Sequence, residues 1–100
     1  MNTYLVSGTL ARDAAFLVRS GLSICRLQVR VMRQHKRDGV LQQTPFELEV
    51  SAFGRSAERA RDLRCGTRLT VRGRLDPYEA RDGKLRLGLL ADELEWERYA

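Results

Sequence analysis

The sequence predicts an all-β fold, a small five-stranded barrel with one short helix between its third and fourth strands. Two observations lead to this prediction. Apolar and polar residues alternate with a period of two over most of the chain, as they do in strands that bury one face. A helical pattern occurs once, in a short stretch after Phe53-Gly54.

The longest alternating segment runs from Ser20 to Phe53 and predicts two long strands joined by a flexible polar tip at 34–39. In the first strand, one face carries Cys25, Leu27, Val29 and Val31, and the other carries Arg26, Gln28, Arg30 and Met32. In the second strand, one face carries Phe46, Leu48, Val50 and Ala52, and the other carries Glu47, Glu49, Ser51 and Phe53. We expect the first face of each strand to be core and the second to be solvated.

The segments before and after this hairpin complete the set of elements. Tyr4–Leu10 is predicted to be the first strand, and 15–18 continues it as extended chain before a turn at Ser20-Gly21. Ser56 is the expected N-cap of a helix over 57–63, where apolar residues recur at helical spacing.

Two further strands are predicted in the last third of the chain. Thr67–Leu75 alternates, and 76–83 is predicted to be a loop because it contains Pro77 and the turn dipeptide Asp82-Gly83. The final strand is predicted over 84–90, with a core face of Leu85, Leu87 and Leu89. Residues 92–96 either extend it past a bulge or begin a short tail element.

This order of elements is the topology of the oligonucleotide/oligosaccharide-binding (OB) barrel. An SH3-like barrel is the competing fold, and the helical segment argues against it. A chain of 100 residues is long enough for one hydrophobic core, so we expect a single OB-fold domain over residues 1–100.

The chain is basic, with a net charge of +5, and arginine supplies 16 of its 18 basic residues. Seven basic residues and one acidic residue lie between Arg12 and Arg37, whereas the last fourteen residues carry four acids and one arginine. A basic middle with an acidic end is expected of a nucleic-acid binder, although an arginine-rich proteome could give a similar pI. Arginine also clamps phosphate bidentately and stacks on bases.

The sequence indicates a binding protein and not an enzyme, so no catalytic residue is predicted. The single histidine, His35, lies in the charged tip without an orienting partner. Glu47 and Glu49 are about 7 Å apart along one strand face, but the arginine-rich neighbouring strand favours ion pairing over acid–base catalysis. No glycine-rich phosphate loop is present.

No metal, cofactor or small-molecule substrate is predicted either. Cys25 and Cys65 lack the spacing and the partner histidines of a zinc site, and we expect both to be reduced, small buried residues. No apolar run approaches the length of a membrane span, and no signal peptide is evident. The expected location is therefore the cytoplasm.

Binders of single-stranded nucleic acid combine a positive groove with aromatic side chains that stack on bases. The predicted groove residues are Arg26, Arg30, Arg33, Lys36, Arg37, Arg72, Arg74, Arg81, Lys84 and Arg86. The predicted stacking residues are Phe53, Tyr78 and His35. Two alternatives remain open, since Phe53 could be a core residue at the barrel end and Tyr78 could only shield the barrel.

Several segments resemble bacterial single-stranded-DNA-binding proteins. Leu5-Val6-Ser7-Gly8-Thr9-Leu10-Ala11-Arg12, followed by Ser20-Gly21-Leu22 and Cys25-Arg26-Leu27-Gln28-Val29, is similar to their first two strands. Residues 66–73, 82–85 and 90–95 resemble the second half of the primosomal replication protein N (PriB) family. Phe53-Gly54-Arg55-Ser56-Ala57-Glu58 is more similar to the single-stranded-DNA-binding protein (SSB) family, although His35 and Glu47 stand where that family has tryptophans.

The PriB resemblance implies an OB-fold homodimer that binds single-stranded DNA and acts in primosome assembly and replication restart, with the helicase PriA and with DnaT as partners. A short, tetrameric SSB-type protein is one alternative. An OB interaction module that docks an acidic protein partner is another. We expect the DNA to follow the basic strand between Arg26 and Arg37 and to avoid the return strand that carries Glu47 and Glu49, and we expect binding to be strongly salt-dependent.

Overall fold

A computed structural model describes residues 2–97, which form six strands and one helix. The elements are β1 (Tyr4–Leu10), β2 (Ala15–Arg19), β3 (Leu22–Arg37), β4 (Val40–Phe53), α1 (Arg55–Ala60), β5 (Arg68–Glu79) and β6 (Leu85–Trp96). Hydrogen bonds join the strands in the order β1-β5-β6-β4-β3, and β1 pairs again with β3, so these five strands close a barrel. The β2 strand extends the sheet beyond β3. The predicted OB topology is confirmed, with α1 between the third and fourth barrel strands.

Alternate residues of the long strands fill the barrel. Cys25, Leu27 and Val29 of β3 are fully buried, as are Val50 of β4 and Val71 of β5. Because successive side chains of a strand point to opposite faces, the arginines and glutamates between these positions lie on the outside. The predicted inner and outer faces of the β3–β4 hairpin are therefore confirmed where the barrel is closed.

Helix α1 covers one part of the core but begins and ends earlier than predicted. Gly54 caps it with φ of 64°, and no side chain caps the first turn, so Ser56 is not the N-cap. The positive φ of Gly54 turns the chain directly from β4 into the helix. Ala57 and Ala60 are fully buried. No helix within residues 2–97 is long and apolar enough to cross a membrane.

The tip of the β3–β4 hairpin is more regular than the sequence suggested. Strand pairing continues to Arg37 opposite Val40, so the predicted tip of 34–39 is strand up to Arg37. Asp38 and Gly39 form the two-residue turn, with φ of 54° and 79°. Positive φ at both central residues matches the twist of the two strands, which is why this Asp-Gly pair closes a long hairpin.

The β5–β6 hairpin is longer than predicted, because β5 continues to Glu79. The predicted loop at 76–83 is wrong over its first four residues. The β1 strand pairs with β5 only as far as Gly73, which leaves the rest of β5 with a free edge. A proline such as Pro77 is tolerated on such an edge, since its missing N–H can face away from the ladder.

The predicted core face of the last strand is correct for Leu89 alone. Leu85 and Leu87 are 76% and 61% exposed because they lie on the part of the hairpin that extends beyond the closed barrel. Residues 92–96 extend β6 past a bulge, which settles the two alternatives for this segment. Arg72 pairs with Glu93, and the next residue, Gly73, pairs with Ala91. Asp92 of β6 therefore has no opposite residue on β5, which makes it the bulge.

The two cysteines differ in their surroundings. Cys25 is buried, as expected, and burial raises the pKa of its thiol. Cys65 is exposed, so the prediction of a buried residue is wrong there. It lies in the connection between α1 and β5, where its backbone N–H donates to Asp13 Oδ1 at 2.7 Å and its Sγ donates to the carbonyl of Ala11. Both cysteines are free thiols.

Candidate nucleic-acid interface

The outward side chains of β3 and β4 form a continuous surface on the closed part of the barrel, which we call the hairpin face. The strand register places its members in four opposite pairs. The pairs are Ile24 with Phe53, Arg26 with Ser51, Gln28 with Glu49, and Arg30 with Glu47. The face therefore changes from apolar to charged along its length.

The apolar end of the hairpin face extends onto β2. Phe53 is 40% exposed, Ile24 lies opposite it on β3, and Leu17 lies opposite Ile24 on β2. Phe53 is therefore an outward residue, and the alternative of a barrel-end core residue is wrong. We call these three side chains the apolar row. The sequence does not predict Leu17 and Ile24 as site residues. Extended chain over 15–18 gives no register against β3, and that register is what places Leu17 beside Ile24.

The charged end of the hairpin face is neutralised by its own carboxylates. Arg30 Nη2 is 3.4 Å from Glu47 Oε1, and Gln28 Nε2 donates a hydrogen bond to Glu49 Oε2. Burial raises the pKa of Glu49, and the nearby charge of Arg26 opposes that shift. The expected ion pairing between the return strand and the basic strand is confirmed for Glu47.

Beyond the barrel, the β3–β4 hairpin carries predicted groove residues on an exposed arm. Arg33, Lys36 and Arg37 are exposed, and within residues 2–97 none of them forms an ion pair. His35 Nε2 is 2.9 Å from Thr44 Oγ1 across the hairpin. The three cations are therefore available to an anionic ligand.

The β5–β6 hairpin borders the hairpin face on its other side. Tyr78 is half-buried, and its ring lies beside Gly88, whose missing side chain also leaves space for the Glu49 carbonyl of β4. The half-buried Tyr78 ring therefore lies close to the backbone of β4 at Glu49, which belongs to the hairpin face.

The basic residues of the β5–β6 hairpin differ in their partners. Arg74 Nη2 is 3.2 Å from Asp92 Oδ1, and Arg86 Nη2 is 3.1 Å from Asp82 Oδ2. Hydrogen bonds from the Lys84 N–H and from Arg86 lower the pKa of Asp82. Arg81 and Lys84 are exposed at the turn.

Arg72 is a predicted groove residue that the fold places away from the hairpin face. It lies opposite Leu5 of β1 and Glu93 of β6, on the outward face of β1, β5 and β6. A groove of about 680 Å³ lies on that side, where β1 leaves β3, and its lining includes Ser7, Thr70 and Trp96.

The described residues contain no candidate metal centre. Within residues 2–97, no group of three or more His, Cys, Asp or Glu side chains could hold an ion. The exposed aromatic, polar and charged side chains of this surface can stack, form hydrogen bonds and bind anions.

The chain is similar to known proteins both in sequence and in fold. The model of the single-strand binding protein family matches residues 1–94. A deletion mutant of the single-stranded DNA binding protein from Thermus aquaticus superimposes with a TM-score of 0.86 at 25% identity, over 98% of this chain and 51% of that one. The wild-type Thermus protein gives 0.84 at 23% identity, over 98% and 50%. The chain thus spans about half the length of these proteins, and no curated protein sequence matches it.

The half-buried Glu49 predicts a pH-dependent difference in stability. Burial raises the pKa of Glu49 in the folded protein, because it disfavours the charged carboxylate. The contribution of Glu49 to the free energy of unfolding is therefore fully present below the ordinary pKa of a glutamate, and it is lost as the pH rises through the raised pKa. Glu49→Gln mimics the neutral form. It should therefore raise the Tm at pH 7 relative to the unmodified protein, and the difference should disappear near pH 4.

Thermal melts at both pH values measure this effect. Glu47→Gln is the control, because Glu47 is exposed and no gain in Tm is expected from it. A lower Tm for Glu49→Gln at pH 7 would show that the charged carboxylate stabilises the fold.

Proposed function

Because the chain belongs to the single-strand binding protein family, we propose that it binds single-stranded DNA through the hairpin face. The observation that carries this proposal is the apolar row of Leu17, Ile24 and Phe53, which lies on the outside of the barrel beside Arg26. Bases can stack on Phe53 and contact the two aliphatic side chains. Arg26, which faces the small Ser51, can bind the adjoining phosphate.

The proposed DNA track continues from the apolar row towards the tips of the β3–β4 and β5–β6 hairpins. Tyr78 supplies a second aromatic edge next to β4, and the exposed cations at the tips can bind phosphates outside the barrel. Those cations are Arg33, Lys36, Arg37, Arg81 and Lys84. Arg72 is outside this track because it lies on the face of β1, β5 and β6.

Within the family, the PriB-type role remains our proposal. It comprises primosome assembly and replication restart, with PriA and DnaT as partners, in the cytoplasm. The segments that resemble PriB and the non-aromatic Glu47 on the hairpin face support it. The second candidate is a short SSB-type protein, which is favoured by α1 directly after Phe53-Gly54.

The open edge of β1 supports the proposed homodimer. The β1 strand pairs with β5 along one edge, but with β3 only at Thr9 and Leu10, so no strand within residues 2–97 pairs with its other edge over 4–8. Leu5 is 68% exposed on this strand. A free edge with an exposed leucine is a template for another strand, and two β1 strands pairing with each other would satisfy both edges.

Replacement of Phe53 tests the DNA-binding proposal. Phe53→Ala should weaken binding to an oligo-dT by about tenfold, since one stacked base is worth about 1–3 kcal/mol, and it should leave the Tm nearly unchanged. The matched control is Phe46→Ala, which removes a 45% exposed aromatic from the opposite face of the same strand. Fluorescence anisotropy with a labelled single strand and a duplex of equal length gives the affinities.

Two results would contradict the proposal. One is equal affinity for single strand and duplex, and the other is an equal loss from Phe53→Ala and Phe46→Ala. If no DNA of either kind bound, the interaction module with an acidic protein partner would become the better account.

Replacement of Leu5 tests the dimer. The unmodified protein should have twice the chain mass of 11.5 kDa by light scattering. Leu5→Lys should reduce this to the monomer mass, because a charge on a free edge opposes strand pairing. Leu85→Lys, which changes a leucine that is 76% exposed on the β5–β6 hairpin, should leave the dimer intact. A tetramer mass would favour the SSB-type candidate, and a monomer mass would refute the dimer.

A further inference from the structure

We infer that Glu47 and Glu49 act as internal competitors for the phosphates of the bound strand, and that they make the strand bind less tightly at the charged end of the hairpin face than at its apolar end. This inference rests on the function proposed above. It concerns which part of the face the DNA occupies and which arginines bind it.

Two arginines on the same strand and the same face have different partners. Arg26 lies opposite Ser51, and the carboxylate near it, Glu49, accepts the hydrogen bond of Gln28. Arg30 lies opposite Glu47 and forms an ion pair with it. The Arg30 side chain is 54% exposed, so a phosphate could reach it, but its guanidinium is already 3.4 Å from the Glu47 carboxylate. An exposed ion pair of this kind is weak and can be displaced. The phosphate must nevertheless compete with a tethered anion.

Glu49 adds to this competition between the carboxylates and the phosphates. It accepts the hydrogen bond of Gln28, a donor that could otherwise bind phosphate. Glu47 and Glu49 point to the same side of β4 and are about 7 Å apart. This spacing is shorter than the screening length of about 8 Å at physiological salt, so a phosphate above either carboxylate is repelled by both. The charged end of the face therefore carries two acids and one arginine, which is unfavourable to a polyanion.

The apolar end of the hairpin face differs from the charged end because its outward residues include no acid. From Ser51 to Phe53 the outward residues of β4 carry no acid, and the facing residues of β3 supply Arg26 and Ile24. The strand can thus bind across β2, β3 and β4 at that end. On its way to the exposed cations at the tip of the β3–β4 hairpin, the strand must pass the two glutamates, where its phosphates bind less tightly.

The test is a double-mutant cycle on oligo-dT affinity, measured by anisotropy at one salt concentration. Replacing both acids, in Glu47→Gln with Glu49→Gln, should tighten binding by on the order of tenfold, because two nearby like charges are removed. The matched control is Glu58→Gln with Glu93→Gln, which makes the same change in net charge at exposed residues of α1 and β6 outside the hairpin face. It should tighten binding by less than about twofold.

The second arm of the cycle adds Arg30→Ala to the unmodified protein and to the double glutamine variant. Arg30→Ala should cost at least about fivefold more affinity in the double glutamine variant than in the unmodified protein, since neutral partners release Arg30 for phosphate. Thermal melts of every variant establish that the affinities compare folded proteins.

The outcomes separate this inference from the proposed function. If Arg30→Ala cost the same factor in both backgrounds, or if the control pair tightened binding as much, the competition would be refuted while DNA binding stood. If neither the unmodified protein nor the double glutamine variant bound single-stranded DNA, the proposed function itself would be refuted.

Discussion

Closure of the barrel depends on a short contact between β1 and β3. Two register pairs complete the ring, Thr9 with Arg30 and Leu10 with Val29. Gly8 makes this contact possible, because a Cβ there would collide with the Arg30 carbonyl and would lie 2.9 Å from the Val29 side chain. Beyond these pairs the two strands separate. The β3–β4 hairpin then continues as a two-stranded arm, and β1 keeps an open edge.

This closure also determines what the outside of the barrel can offer. Inside the ring, alternate residues of β3 and β4 are committed to the core, so their neighbours must form the hairpin face. Most of those neighbours are polar, as solvation requires. The apolar row is the exception, because it places the exposed ring of Phe53 near Arg26 on the outside of the barrel. Its presence is best explained by a ligand with flat apolar parts and negative charges, which is the chemistry of single-stranded DNA.

The sequence predicts which residues share a strand face better than it predicts whether another strand covers that face. Cys25, Leu27 and Val29 were placed correctly because alternation identifies a shared face. Leu85 and Leu87 follow the same pattern but are exposed, since alternation does not show whether another strand covers that face. Pairing between distant strands decides that, and it depends on where the barrel closes.

The candidate site could likewise be predicted only in the parts that do not depend on strand pairing. Phe53 was recognised from its position on the return strand, and the basic residues were recognised from their number. The apolar row was not, because it requires the register of β2 against β3 and of β3 against β4. The bias of the DNA path towards Arg26 likewise depends on Ser51 lying opposite it, a fact that only the pairing reveals.

The most direct measurement of the central claim is photo-crosslinking of the protein to an oligonucleotide that contains iodouracil, with the modified peptides identified by mass spectrometry. Crosslinks should concentrate at Phe53, with a weaker site at Tyr78, because these aromatic side chains lie on or beside the hairpin face. Crosslinks that were concentrated at Tyr4 or Trp96 would contradict the account, since these residues lie on β1 and at the end of β6, away from the apolar row.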